Sequence, residues 1–178
     1  MTVASLVLNR HFKAPPERVF AAFTEKALMQ GWYGPEAMTV PHCEVDARVG
    51  GKYRVEMHAS TGSVHIVTGE FKEITPPERL VFSWGWLNGT GRNPETTVTL
   101  TFKPADGGTE LTLVQTGFMK DEFREGHRDG WTSSWNALDA ALDGKAKAKT
   151  AGPIVVGDYR STYTRSARLG FFEKGIAH

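Results

Sequence analysis

A chain of 178 residues has room for one domain, or one domain and a fragment, and needs no covalent staple to bury a core. Hydrophobic residues make up 40% and charged residues 23%, the mix of an ordinary soluble protein, and 21 basic against 20 acidic side chains leave a net charge of +1. That balance, with no basic face, gives nucleic acid or an anionic membrane nothing to bind.

The single cysteine, Cys43, excludes an internal disulfide and disfavours a thiolate zinc site, in keeping with a reducing cytoplasm. The start, "MTVASLVLNRHF", has no basic stretch followed by an apolar run, so no signal peptide is expected. No segment approaches the ~18 apolar residues of a membrane helix.

In chain order, residues 3–12 alternate, with Leu6, Leu8, Arg10 and Phe12 on one face and Val7, Asn9 and His11 on the other. This predicts a strand with one buried side. "APPERVFAAF" then opens a helix, with a proline pair where a missing N–H costs nothing and Glu17 in the first turn. A second short helix is expected over Lys26–Trp32, ending at "GWYGP".

From Cys43 to Thr116 the period is two. Tyr53, Val55 and Met57 share a face, as do Leu80, Phe82, Trp84 and Trp86, then Val98, Leu100 and Phe102, then Leu111 and Leu113. The turns "VGGK", "STGS", "TPPE", "NGTGRNPE" and "ADGG" separate these runs. Such short separations predict an antiparallel meander. After Gly117 the period changes. Phe123, His127, Trp131, Ser134, Leu138 and Ala141 recur at three- and four-residue steps, flanked by Trp135 and Leu142, until Gly144. This predicts an amphipathic helix of about six turns, the one apolar stripe large enough to cover the sheet.

The segments "FKAPPERVFAAFTEKALMQGWYGP", "EVDARVGGKYRVEM", "GEFKEITPPERLVFSWGW" and "GTELTLVQTGF…HRDGWTSSWNALDAAL" resemble, in this order, the SRPBCC superfamily. Within it they are similar to the branch named for homology to the activator of the heat-shock protein 90 ATPase, over about residues 3–143. The resemblance implies an α+β, START-like helix-grip fold: a curved antiparallel sheet around a long C-terminal helix, with two short helices after the first strand. It also implies a hydrophobic cavity between sheet and helix that takes an apolar small molecule. The branch's name implies a chaperone partner and a place in the stress response.

On this reading residues 1–144 form the domain. The cavity lining is expected from Tyr53, Met57, Phe71, Trp84, Trp86, Trp131 and Trp135, with indole N–H groups as polar handles. The alternative is that these aromatics fill a solid core. Arg10, Gln115, His127 and Ser134 stand at apolar-phase positions, and their convergence suits a ligand carboxylate, carbonyl or hydroxyl. Arg10 at a strand end, paired with a surface acid, is the competing reading.

Histidines 11, 42, 58, 65 and 127 are scattered over different elements, so no metal site, cofactor or catalytic residue is assigned. An enzyme of cyclase or hydrolase type would lack a visible acid–base pair. The non-catalytic binding of an apolar small molecule is the leading expectation. Chaperone activation is the alternative.

Residues 145–153 read as a linker. Beyond it, "PIVVGDYRSTYTRSARLGFFEKGI" resembles the first strand and helix of a glutathione transferase. That resemblance would give Ser161 the thiolate-contacting role of the serine-type classes. Residues 154–178 are then the start of a fused domain, a docked tail or simply a mobile terminus; the apolar Leu169, Phe171, Phe172 and Ile176 argue for docking or for pairing two copies.

Overall fold

The computed structural model describes residues 4–87 and 95–145. In chain order these hold β1 (Leu6–Phe12), α1 (Pro16–Ala21), α2 (Lys26–Trp32), β2 (Met38–Val45), β3 (Lys52–Ala59), β4 (Val64–Thr75), β5 (Arg79–Trp86), β6 (Thr96–Ala105), β7 (Gly108–Thr116) and α3 (Asp121–Leu142). The expected linker beyond Lys145 and the transferase-like segment with Ser161 lie outside the described residues.

Strands β2 to β7 form the predicted antiparallel meander, and β1 adds to β7, giving the order β1-β7-β6-β5-β4-β3-β2. Consecutive strands β1 and β2 therefore stand at opposite edges. The chain between them must cross one face of the sheet, and α1 and α2 make that crossing. Helix α1 rests on β6 and β7, whereas α2 rests on β2 and touches α3. Helix α3 also reaches β1. Both edges thus come round to the same long helix, as a curled sheet requires. This is the helix-grip fold.

The period-two faces pack inward as expected. Leu80, Leu100, Leu111 and Leu113 have no exposed surface, and Tyr53, Phe71, Phe82 and Phe102 are nearly as buried. Each such side chain contributes roughly 1.5–3 kcal/mol when removed from water. Helix α3 behaves differently along its length. Its second half is driven into the core by Trp135, which meets Phe12 edge-on at 6.0 Å, and by the fully buried Leu138. In its first half Phe123 and His127 are only half-buried. The helix is seated at one end and stands off at the other.

One close approach fixes the sheet beneath it. Tyr53 on β3 lies opposite Gly69 on β4, and its ring crosses that strand so that its hydroxyl donates to Ser83 O on β5 at 2.8 Å. A Cβ at position 69 would strike the Ser83 carbonyl and the Tyr53 ring. Glycine is required there because a neighbouring backbone occupies the space. Gly69→Ala is expected to lower the unfolding free energy by about 1–3 kcal/mol, the usual cost of forcing an extra methyl into a packed core. Urea denaturation would register this, and an unchanged midpoint would show that β4 and β5 can part without penalty.

Candidate functional site

Where α3 stands off the sheet, a cavity of about 350 Å³ remains, partly open to solvent. This is at the lower end of small-molecule sites. Three parts of the chain enclose it. Tyr33, Gly34 and Pro35, in the turn after α2, form one end; Met57 on β3 with Trp84 and Trp86 on β5 form the floor. Helix α3 forms the roof with Glu122, Phe123, Gly126, His127, Gly130, Trp131 and Ser134. These roof positions repeat at three- and four-residue steps, so they make one face of the helix.

The turn is built for close contact. Gly34 has φ +81°, and a Cβ there would run into the Met57 thioether. Pro35 follows directly and holds the chain away from α2. Tyr33 itself is almost fully buried, and its ring meets Trp131 at 6.1 Å and Trp32 at 5.2 Å.

Two buried hydrogen-bond chains hold the cavity indoles in place. Trp84 Nε1 donates to the Tyr33 hydroxyl at 3.0 Å, and the Tyr33 and Tyr53 hydroxyls are hydrogen-bonded to one another. The Tyr53 hydroxyl in turn donates to Ser83 O. In the second chain Trp131 Nε1 donates to Gln115 Oε1 at 2.9 Å, Gln115 Nε2 to Thr96 Oγ1 at 2.8 Å, and Thr96 Oγ1 to Trp84 O at 3.0 Å. Such chains satisfy groups that would otherwise be costly to bury. They also tie α3 to β7, β6 and β5 in turn.

The sequence reading named eleven cavity residues, and they divide. Met57, Trp84, Trp86, His127, Trp131 and Ser134 stand together in the lining. Tyr53 and Phe71 instead pack with Phe82, at ring separations of 5.5 to 6.1 Å, as solid core. Trp135 is in phase with Trp131 along α3, yet one turn further it meets Phe12 rather than the cavity. Gln115 is fully buried behind Trp131 and has both ends of its amide engaged. Arg10 donates to Asn136 Oδ1 at 2.8 Å and pairs with Asp139 at 3.6 Å, at the seated end of α3. Of the competing reading the pairing with an acid is observed, though Arg10 stands inside β1 rather than at its end.

The turn residues Tyr33, Gly34 and Pro35 were missed, as were Glu122, Phe123, Gly126 and Gly130 as cavity positions. Phe123 was placed on the inward stripe, but the glycines carry no hydrophobic signal at all. A trace was available in "GWYGP", where an aromatic between glycines precedes a proline.

His127 occupies the centre of the roof. Its Nδ1 lies 2.7 Å from Phe123 O, which can only accept, so Nδ1 carries the proton and Nε2 a lone pair. Nε2 is buried and has no protein partner among the described residues. The ring meets Trp84 edge-on at 4.6 Å and Phe118 at 5.1 Å. Burial holds its pKa below the usual histidine value, against the opposing bond to Phe123 O. Burial also pushes the Tyr33 hydroxyl well up and the Cys43 thiol to about 11. Neither group offers a base or nucleophile at neutral pH. Among the described residues no group of three or more His, Cys, Asp or Glu side chains could hold a metal, and no helix is long and apolar enough to cross a membrane.

The family model described as "Activator of Hsp90 ATPase homolog 1-like protein" matches residues 13–143. The chain belongs to this family. A crystallised protein of Chromobacterium violaceum is 32% identical with a TM-score of 0.72, over 78% of this chain and 96% of that one. The AHSA1 protein of Silicibacter pomeroyi is 32% identical with a TM-score of 0.71, over 80% and 99%. A protein of Rhodobacter sphaeroides is 28% identical with a TM-score of 0.68, over 79% and 93%. No curated protein matches significantly. The family match ends at residue 143, just past the end of α3, and does not reach residues 154–178; no comparison supports the transferase resemblance read there.

For this family member two outcomes are expected. Gln115→Leu leaves the Trp131 N–H without its acceptor, so stability should fall by about 1–3 kcal/mol. The Trp131 indole signal in an amide NMR spectrum should move with it; an unmoved signal would mean that the buried bond does not form. The second concerns pH. With its folded pKa depressed, His127 contributes stability that is fully present above about pH 6.5, the value in an unfolded chain. That contribution is lost as the pH falls through the folded value. Urea midpoints between pH 7.5 and 5 should therefore decline less steeply in His127→Gln. Parallel declines would show that His127 titrates as freely folded as unfolded.

Proposed function

We propose that this protein binds an apolar small molecule in the cavity between α3 and the sheet, without catalysing its conversion. The observation that carries the reading is the pair of glycines in the roof. Gly126 and Gly130 lie one turn apart on the cavity face of α3, and a Cβ at either would meet nothing within 4 Å. A helix-interior glycine costs roughly 0.5–1 kcal/mol relative to alanine. Packing among the described residues does not explain that cost. A ligand lying against bare helix backbone does.

The floor supports the same reading. Trp84 and Trp86 meet edge-on at 4.8 Å, and with Met57 they give an aromatic and thioether surface suited to a flat apolar body. Their polar edges are partly spent elsewhere, since Trp84 donates to Tyr33. Among the described lining residues no base is paired with a nucleophile, and Tyr33 is held protonated, which favours binding over chemistry. A chaperone partner rests on the family description alone, and stimulation of a purified Hsp90 ATPase tests it separately.

The test uses the neutral fluorescent probe N-phenyl-1-naphthylamine. Saturable one-site enhancement is expected with the wild type and should be lost in Gly130→Leu, whose side chain fills the cavity. Gly126→Ala and Gly130→Ala should each raise the unfolding free energy by about 0.5–1 kcal/mol. Probe binding that survives Gly130→Leu unchanged would place the ligand elsewhere and defeat the proposal.

A further inference from the structure

We infer that the ligand of this cavity is a neutral molecule whose polar group is a hydrogen-bond donor, a hydroxyl or an N–H, and that the cavity discriminates against carboxylates. This rests on the proposed binding role of the cavity and specifies the chemistry of its ligand.

The indole N–H of Trp84 is committed to Tyr33 and that of Trp131 to Gln115. The Ser134 hydroxyl donates to Gly130 O at 2.7 Å, and His127 Nδ1 donates to Phe123 O. What His127 and Ser134 keep for another molecule are lone pairs, on Nε2 and on Oγ. A buried acceptor without a donor is costly, and a ligand donor would relieve that cost. The rings of Trp84 and Phe118 pack against His127 at 4.6 and 5.1 Å, so a ligand that bonds Nε2 also meets these rings.

Charge points the same way. Among the described residues no lysine or arginine lines the cavity. Arg10, the cation in phase with the apolar face of β1, is engaged with Asn136 and Asp139 at the far end of α3. The one carboxylate among the described lining residues is Glu122, exposed in the first turn of α3, and it repels anions. An unpaired carboxylate would therefore enter apolar surroundings with nothing to offset its lost hydration.

Three probes of one shape separate the possibilities: 4-phenylphenol, 4-methoxybiphenyl and biphenyl-4-carboxylate, titrated calorimetrically into the full chain at pH 7.5. The phenol should bind about tenfold more tightly than the methyl ether, which keeps the oxygen and loses the donor. The carboxylate should bind most weakly. In His127→Phe the gap between phenol and ether should close, whereas His127→Gln, which restores an acceptor, should keep most of it. The indole N–H signal of Trp84 should shift with the phenol. Equal affinities for all three probes would leave the binding role standing and overturn the inference, as would a preference for the carboxylate or a gap that persists in His127→Phe. Failure of every probe to bind would overturn the binding role itself, and the inference with it.

Discussion

The hydrogen bond from Trp131 to Gln115 is the constraint on which the upper half of the molecule depends. The hydrophobic effect would draw a long amphipathic helix flat onto the sheet and close any apolar gap. In this protein α3 is flat only at its second half, where Trp135 and Leu138 enter the core. At its first half the indole of Trp131 is fixed by its N–H, and the large ring becomes a spacer as well as a wall. Gln115 turns that bond into a chain through Thr96 to the backbone of Trp84. Roof and floor are thus referenced to each other through buried polar groups.

Tyr33 supplies the second support. It stands at the end of α2, holds Trp84 by its hydroxyl and meets Trp131 by its ring edge, so it braces the cavity from the side. Its own hydroxyl is fixed by Tyr53, whose ring can lie across β4 only because residue 69 has no side chain. The dependence runs from one glycine in a strand, through two tyrosines, to the orientation of an indole in the lining. Close packing transmits such constraints because protein interiors have little free volume to absorb a misfit.

The same commitments decide what the cavity can recognise. A tryptophan in a binding site ordinarily offers a donor, yet Trp84 and Trp131 have each given theirs to the scaffold. The rigidity of the walls is obtained at the expense of their hydrogen-bonding capacity. His127 differs because its helical bond to Phe123 uses one ring nitrogen and leaves the other. The chemical character of the site therefore follows from the way it is held open.

Alternation of apolar residues was enough to read β3 and β5 to β7, with inward faces, and the 3.6-residue period gave α3 and its buried stripe. Both are local properties of the chain, since side-chain direction follows from backbone geometry one residue at a time. The bounds of α2 were legible for the same reason, and Trp84, Trp86 and Trp131 all border the cavity. Periodicity could not separate Trp131 from Trp135, or Trp84 from Tyr53, because each pair shares a phase and differs only in what stands opposite. That is decided by the pairing of β1 with β7 and by the seating of one end of α3, both contacts between residues far apart in sequence. Nor could it show that Gly126 and Gly130 matter, since an absent side chain has no hydropathy to read. The sequence by itself determined which residues face inward. Only the tertiary structure decided which of those faces meet each other and which enclose a space, because a cavity is a relation between distant surfaces.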